Sequence, residues 1–434
     1  MKNILLSAGA MLIASVAFAQ TPATVPATTS SAIAVPTPQV SPTLGATVGG
    51  NYSNINQKAV GSNALVEQQG TANASYIDQT GSDVGNKNNV YVKQWGNVQP
   101  SISGYQNHSE ITQDGAGNDF TALQQGDTNM NFGSQIGLNN TVMVKQGANA
   151  AQQAQDNVAL SDQDGKDNSA EIEQYYDNNM ASITQRNDQV AGVENQSYQL
   201  QTANPNQTAG HTAIGEQWGD DNKLVQMQDS GSPASGGANH AEAYQGNATA
   251  GAVNAFAQQL QSGDNNEAYS NQFGVNDESF QEQNGSANVA VAKQNTSPTS
   301  GGDNLLEQYQ EGTGNRASAD QNGSNNQSFQ EQYGTNNSAV LTQRQGQIAG
   351  NVALSIQEGM NHQSEINQKT SGNMATVDQT GHGQMSIVNQ NFPAGNGTTA
   401  QAGAGYNSAT VIQRDANVAL TPQIQRANAT RARF

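Results

Sequence analysis

One phrase of eleven residues recurs along almost the whole chain, and this periodicity constrains the fold more than any other feature. In its fullest form the phrase reads Asn-x-Ala/Ser-x-apolar-x-Gln-x-Gly. Clear copies run from Asn73 to Gly81, Asn107 to Gly115, Asn315 to Gly323 and Asn373 to Gly381. A short fixed period is typical of repeat architectures, in which each repeat contributes one supersecondary unit.

The recurring residues occupy every second position, which is the period of a β-strand rather than a helix. Asn, Ala/Ser, the apolar residue and Gln are therefore predicted to share one face. The residues between them vary freely and are often charged, so they are predicted to face solvent. The glycine two residues after Gln can adopt positive φ, which a tight reversal needs. Each phrase, here called an arm, is predicted to form one strand and one turn.

The number of arms predicts a long stacked structure. We count about 29 arms between Asn51 and Gln423. A strand of five to seven residues with one turn cannot bury its own face, so successive strand-turn-strand coils must stack. Two arms make one coil, and about 14 coils at ~4.8 Å each give a rod of roughly 65–70 Å. The predicted fold is an all-β solenoid with two parallel sheets facing each other across a thin core.

Side-chain amides at equivalent positions of stacked coils can donate to one neighbouring coil and accept from the other, as in cross-β assemblies. Such Asn/Gln ladders explain how a chain with only 34% hydrophobic residues can be ordered. The residues predicted to carry the ladders include Asn51, Gln57, Gln68, Asn73, Gln79, Asn107, Gln113, Asn315, Gln321, Asn326, Gln332, Asn373, Gln379, Gln390 and Gln413. The predicted turn residues include Gly70, Gly81, Gly115, Gly323, Gly334 and Gly381.

Two checks support the eleven-residue frame. Residues that replace Asn can still form hydrogen bonds at Ser62, His211, Asp277, His362 and Gln384, and only Ala255 fills that slot without a polar group. Proline cannot donate to a sheet ladder and should avoid the arms. Of the eleven prolines, only Pro422 lies inside an arm, and it lies in the last one.

Composition divides the chain into four predicted segments. Residues 1–19 have a lysine, an apolar run and an Ala-Phe-Ala ending, which predict a secretory signal cleaved before Gln20. Residues 20–50 are rich in Pro and Thr and are predicted to be a flexible linker or targeting tail. Residues 51–423 form the repeat solenoid, and residues 424–434 a basic tail. The sequence therefore predicts an exported protein, with no transmembrane helix after signal cleavage.

The charge distribution limits the classes of partner. A formal net charge of −19 argues against nucleic acid or acidic lipid as a partner of the repeat region. Arg414, Arg426, Arg431 and Arg433 gather near the C-terminus. These arginines could dock on an anionic surface or an acidic neighbouring subunit, or they could be solvated charges that cap the last coil.

The sequence predicts no enzyme, metal site or cofactor. The five histidines share no ligand spacing, and two of them simply occupy the Asn slot. No Gly-x-Ser-x-Gly elbow is present, and the glycines form no Walker or dinucleotide-binding motif. Cysteine is absent, so disulfides cannot contribute to stability.

Paired arms such as Asn315–Gly323 and Asn326–Gly334 resemble the curlin repeat of bacterial curli fibre subunits, over residues 51 to about 423. The resemblance implies a secreted amyloid subunit that polymerises at the cell surface and supports adhesion and biofilm matrix. It implies as partners further copies of the chain, related subunits, an outer-membrane secretion channel and a periplasmic chaperone. It also implies that Gln57, Gln68 and Gln79 serve polymerisation at one end, and Gln379, Gln390 and Gln413 at the other.

The chain departs from the curlin pattern in its greater length, its Pro/Thr-rich N-terminal segment and its insertions at 97–106 and 391–406. The basic C-terminus is similar to that of nucleator-type subunits, and the sequence does not separate a nucleator from a major subunit. Two other functional classes remain open. One is a monomeric secreted solenoid that acts as an adhesin or binding surface, and the other is a disordered, prion-like polar chain.

Overall fold

The computed structural model describes residues 31–36, 50–81, 85–95, 106–147, 154–204, 209–230, 237–295, 301–344, 350–369, 371–390 and 407–415. The predicted signal, most of the 20–50 segment, the basic tail, the last predicted arm with Pro422 and nearly all of both predicted insertions lie outside the described residues. The predictions for those parts stay predictions.

The described residues form thirty β-strands and no helix. The strands are β1 (Tyr52–Gln57), β2 (Asn63–Gln69), β3 (Ala74–Thr80), β4 (Asn89–Trp95), β5 (His108–Ala116), β6 (Asp119–Asp127), β7 (Met130–Leu138), β8 (Thr141–Gln146), β9 (Ala154–Gln155), β10 (Val158–Lys166), β11 (Ser169–Tyr175), β12 (Met180–Arg186), β13 (Gln196–Thr202), β14 (Thr212–Asp220), β15 (Lys223–Asp229), β16 (His240–Gln245), β17 (Ala252–Val253), β18 (Phe256–Asp264), β19 (Glu267–Gln272), β20 (Glu278–Ser286), β21 (Val289–Gln294), β22 (Leu305–Thr313), β23 (Arg316–Asn322), β24 (Gln327–Thr335), β25 (Ser338–Arg344), β26 (Val352–Met360), β27 (Gln363–Gln368), β28 (Met374–His382), β29 (Met385–Gln390) and β30 (Ser408–Arg414).

Successive arms alternate between two parallel sheets. Sheet A runs in the order β1-β3-β5-β7-β10-β12-β14-β16-β19-β21-β23-β25-β27-β29, with the short β17 beside β14. Sheet B runs in the order β2-β4-β6-β8-β11-β13-β15-β18-β20-β22-β24-β26-β28-β30, with the short β9 beside β6. Each continuous path contains fourteen strands, one from each coil. The predicted β-solenoid with two facing parallel sheets is confirmed.

The stacked strands pair in register, so equivalent positions of the repeat lie above one another. In the first pair, Ile55 lies against Ile77 and Gln57 against Gln79. Exposure alternates along the strands, with every second side chain buried, as in β11 and β12. In-register stacking of a period-two pattern places like residues in continuous columns, which is the condition for side-chain ladders.

The side chains of the two sheets are matched in shape across the core. Phe120 on sheet B is completely buried, and the position facing it on sheet A is Gly133. A Cβ atom on this glycine would lie 2.1 Å from the Phe120 ring, so no larger residue fits there without rearrangement. The repeat pattern has Ala or Ser where Phe120 stands and an apolar side chain where Gly133 stands, so it predicts neither residue.

The corners explain why many strands are longer than the predicted five to seven residues. In β24 the strand continues for nine residues because Gly334 still pairs with Gly312 and Gly359 of the neighbouring coils. Gly334 has a φ of 107°, and a Cβ there would lie 2.1 Å from the Gly359 carbonyl oxygen. Asn336, two residues later, has a φ of 56° and completes the reversal. The corner therefore uses two positive-φ residues rather than one.

Candidate functional site: amide ladders and open ends

The Gln slot forms one uninterrupted ladder in each sheet. In every step the Nε2 of one glutamine donates to the Oε1 of the equivalent glutamine one coil nearer the C-terminus, at 2.7–3.1 Å. Because every step has the same donor direction, both ladders are polar along the rod. Predicted residues in the sheet A ladder are Gln57, Gln79, Gln113, Gln321 and Gln390, and those in the sheet B ladder are Gln68, Gln332, Gln379 and Gln413.

Each ladder glutamine also ties the two sheets together. The Nε2 of Gln113, for example, donates to the backbone carbonyl oxygens of Asn89 at 3.1 Å and Asn118 at 3.2 Å. Both amide protons therefore have acceptors although the side chain is fully buried. Burying an amide is costly unless it is hydrogen-bonded, so the ladder makes a polar core compatible with stability.

The Asn slot forms a second kind of ladder at the start of each arm. The Oδ1 of Asn315 accepts a 3.0 Å hydrogen bond from the backbone N–H of Asn337, one coil further on. Its Nδ2 donates to the Gly334 carbonyl oxygen of the opposite sheet at 3.0 Å. The same backbone-to-Oδ1 step links the predicted residues Asn51 to Asn73, Asn73 to Asn107, Asn326 to Asn351 and Asn351 to Asn373.

The six predicted turn glycines lie at the corners, immediately beyond these ladders. All six have positive φ, between 88° and 118°. These residues are Gly70, Gly81, Gly115, Gly323, Gly334 and Gly381.

His211 replaces Asn in the sheet A ladder and keeps its connections. Its Nδ1 accepts the backbone N–H of Asn239 at 3.1 Å, and its Nε2 lies 3.1 Å from the Thr202 carbonyl oxygen. Burial lowers the pKa of His211 to about 4, although the hydrogen bond to Thr202 acts in the opposite direction. The ring is therefore neutral at pH 7, with its proton on Nε2, and serves as an acceptor in the ladder.

Asp277 replaces Asn in the sheet B ladder directly after Ala255. Its carboxylate accepts hydrogen bonds from the Gly274 N–H and the Asn295 amide on one oxygen, and from the Asn304 N–H and amide on the other, at 2.9–3.2 Å. Burial raises the pKa of Asp277 to about 6, against the effect of these donors. A carboxylate has no N–H to donate towards the preceding coil, and Ala255 has no side-chain acceptor there. Ala255 and Asp277, which replace Asn in neighbouring coils, are therefore complementary.

A third glutamine ladder, which the sequence analysis missed, occupies the apolar slot of sheet B in the middle of the chain. Its Nε2-to-Oε1 distances are 2.7–2.8 Å, and each Nε2 also donates to a backbone carbonyl oxygen of sheet A. Its members, here called the central ladder, are Gln199, Gln226, Gln259, Gln281, Gln308 and Gln330. The available signal was a Gln-x-Gln triplet that appears in every second arm of this region.

The two ends of the solenoid are open. Strands β1 and β2 pair with one neighbour each, as do β29 and β30. The inward-facing Ile55 is 43% exposed, whereas the equivalent Ile77 one coil further on is completely buried. Within the described residues no amide donates to the Oε1 of Gln57 or Gln68. At these ends the backbone edges and the ladder amides could pair with a further coil.

The inward faces of the two terminal coils match in the Ala/Ser, apolar and Gln slots, whereas in the Asn slot Ser62 of the first coil and Gln384 of the last coil replace Asn. In sheet A the first coil presents Ser53, Ile55 and Gln57, and the last presents Ser386, Val388 and Gln390. In sheet B the corresponding sets are Ala64, Val66 and Gln68, and Ala409, Val411 and Gln413. In these three slots the first coil of one copy could therefore follow the last coil of another with the same in-register contacts that join coils inside the chain.

No protein-family model matches this chain, and no curated protein matches it. Among the described residues, no His, Cys, Asp and Glu side chains are grouped to hold a metal ion. A helix of sufficient length and apolarity to cross a membrane is likewise missing from that part of the chain.

Proposed function

We propose that this chain is the structural subunit of an extracellular, curli-like functional amyloid fibre that supports surface adhesion and biofilm matrix. The observation that carries the proposal is the pair of matched, open ends, with Gln57 and Gln68 at one and Gln390 and Gln413 at the other. The repeat's resemblance to curlin supports the same reading. On this proposal the principal partner is another copy of the chain, and the role is structural rather than catalytic.

The polarity of the ladders gives the growth step a direction. Every ladder Nε2 donates towards the C-terminal end, so the last rungs, Gln390 and Gln413, would donate to the incoming chain. The Oε1 atoms of Gln57 and Gln68 on that chain would accept. Stacking would also bury Ile55 against Val388 and continue both backbone ladders, which covers four exposed sheet edges at each junction, two from each copy. Copies would therefore join head to tail, and a rotated or reversed copy would mismatch the ladders.

Export and surface location belong to the same proposal. The N-terminal signal predicted at residues 1–19 accounts for entry into the secretory route. Passage to the cell exterior would need an outer-membrane channel, and a periplasmic chaperone would keep the open ends from joining early. Related subunits with the same inward residues could share the fibre.

The test follows polymerisation of residues 20–434 after dilution from denaturant, by thioflavin T fluorescence, electron microscopy and fibre diffraction. The proposal predicts fibres that seed fresh protein and give a meridional reflection near ~4.8 Å. Chains that stay monomeric and β-rich at high concentration, even with seeds, would contradict it and favour a monomeric binding surface.

A pair of variants makes the test specific to the ends. Val411→Asp places a charge on the inward face of the last coil, where a second copy would bury it, and is expected to abolish elongation. Thr410→Asp places the same charge on the outward face of the same strand and should polymerise normally. Small amounts of the Val411→Asp chain should also cap fibres of the unaltered protein. Equal elongation by the two variants would contradict end-to-end stacking.

A further inference from the structure

A short N-terminal segment contacts the outer face of the solenoid far from where the chain enters it. Ser31, the first residue of the segment 31–36 that is here called the strap, contacts β16 of sheet A. The Ser31 backbone N–H donates to Glu242 Oε1 at 2.5 Å, and the Ser31 hydroxyl lies 3.4 Å from Glu242 Oε2. The same hydroxyl is 3.2 Å from the Tyr244 hydroxyl. Ser31 thus makes three polar contacts at one place.

The strap contacts a polar site, here called the seat, that consists of Glu242, His240 and Tyr244. Glu242 occupies an outward slot, yet its side chain is only 3% exposed. His240 Nε2 lies 2.6 Å from Oε1, and the Tyr244 hydroxyl donates to Oε2 at 3.1 Å. Burial acts to raise the pKa of Glu242, but these hydrogen bonds and the Ser31 N–H hold the pKa below its usual value. The carboxylate is ionised at pH 7, and the strap supplies one of its donors.

The position of the seat has a geometric consequence for a fibre. β16 is the eighth of the fourteen strands of sheet A, so it lies seven strand spacings from β1, or about 34 Å. The fourteen steps from residue 36 to residue 50 can span about 46 Å when extended, which is sufficient. In a head-to-tail stack the β16 of the preceding copy lies the same seven spacings away on the other side. One strap can therefore reach either seat.

We propose that in the fibre the straps divide between the Glu242 seat of their own copy and that of the preceding copy, so that the exchanged straps tie consecutive copies together. This inference rests on the proposed fibre function, because only end-to-end stacking brings the second seat within reach. The exchange adds a contact across each junction without using the ladders. Since both seats are equidistant, the strap is shared between its own copy and the preceding one.

The test uses the absence of cysteine from the chain. Ser31→Cys chains and Glu216→Cys chains, the latter with the cysteine directly beside Tyr244 in the same outward column, are mixed in equal amounts, grown into fibres and treated with a short bismaleimide. The fibres are then dissolved in formic acid and separated on a denaturing gel. A heterodimer forms only when the strap of one copy reaches the seat of another. Random mixing and equal sharing predict that about a quarter of the Ser31→Cys chains become cross-linked.

Two controls fix the interpretation. Thr342→Cys lies in the same outward column of sheet A, four strands beyond Tyr244, and should give no dimer with Ser31→Cys. Adding Glu242→Gln to the Glu216→Cys chain should lower the dimer yield several-fold, whereas adding Glu365→Gln, in the same column as Glu242, should not. Fibres that give no heterodimer would overturn strap exchange and leave the fibre proposal standing. A failure to form fibres at all would overturn both.

Discussion

The N-terminal coils and the central coils share one backbone fold but fill its core differently. From Ile77 to Ile183 the inward slots hold a continuous apolar cluster. From Gln199 to Gln330 the same slot of sheet B holds six stacked amides. The sheet A positions in the same layers are small: Gly215, Ala243, Ser270, Ala292 and Ala319. A second apolar cluster begins at Ala292 and continues towards the last coil.

The comparison shows that the slot requires a matching neighbour in the stack rather than an apolar side chain. A glutamine is tolerated when the coils on both sides also carry glutamine, because each amide then has a donor and an acceptor. The boundary between the N-terminal apolar cluster and the central ladder shows the cost of a mismatch. Gln199 follows Ile172 in the stack, and its buried Oε1 has no hydrogen-bond partner among the described residues.

Placing a glutamine in each region should give the largest contrast. Ile111→Gln would put an amide between Ile77 and Gly133, with no ladder neighbour, and should cost about 4 kcal/mol or more. Ile172→Gln makes the same change directly before Gln199, so its Nε2 could donate to the unpaired Oε1. We expect it to cost about 1–2 kcal/mol less. Guanidinium denaturation followed by circular dichroism measures both variants, and equal midpoints would contradict the ladder account.

Acidification should change the stability of the central coils through His211 and Asp277, whose contributions have opposite signs. The pKa of His211 is lowered from 6.5 to about 4 in the folded chain, so folding loses up to about 3 kcal/mol as pH falls through that window. The pKa of Asp277 is raised from 3.8 to about 6, so folding gains stability as pH falls from 6 towards 4.

Two variants separate these contributions. His211→Asn should remove the loss, leaving a chain that is stabilised on acidification from pH 6.5 to 4 relative to the unaltered protein. Asp277→Asn should have the opposite effect and steepen the loss. Denaturation midpoints measured at intervals across this range check both, and an unchanged pH profile in either variant would show that the rung is not buried as described.

Breaking the central ladder in the middle should cost more than shortening it. Gln281→Leu would leave the Gln259 Nε2 without its ladder acceptor and the Gln308 Oε1 without its donor, which should cost about 2 kcal/mol. Gln330→Leu removes the last rung, before Ser355, and strands only the Gln308 Nε2, for about 1 kcal/mol. Denaturation midpoints compare the two variants. A larger loss for the terminal rung would contradict a cooperative stack.

The smallest expected effect is a gain from repairing the Asn ladder. In Ala255→Asn the new Oδ1 could accept the Asp277 backbone N–H and the new Nδ2 could donate to Asn222 Oδ1, which already accepts the backbone N–H of residue 255. We expect about 1 kcal/mol of added stability. Ala255→Val adds bulk without an amide and should not stabilise the chain. Equal midpoints for the Asn and Val variants would show that Ala255 leaves no repairable gap.

The repeating part of the molecule was accessible from sequence because identical positions stack on one another. The spacing of Asn73, Gln79 and Gly81 was sufficient to predict the strand, its buried face and both principal ladders. The central ladder was missed because the phrase was defined with an apolar residue where Gln281 stands, so its glutamines read as isolated substitutions. The contact of Ser31 with Glu242 joins residues 211 positions apart without any period. A single contact of this kind leaves no repeating sequence signal.

The most direct test of the account is the mass per length of the fibre, measured by scanning transmission electron microscopy. Fourteen stacked coils predict one chain for about 67 Å of each filament, and the 45.3 kDa chain without its first 19 residues then gives about 0.65 kDa per Å. Bundled filaments should give whole-number multiples of this value. A fibre in which each chain contributes a single layer of about 4.8 Å would have about fourteen times that mass per length, and this result would contradict head-to-tail stacking of folded solenoids.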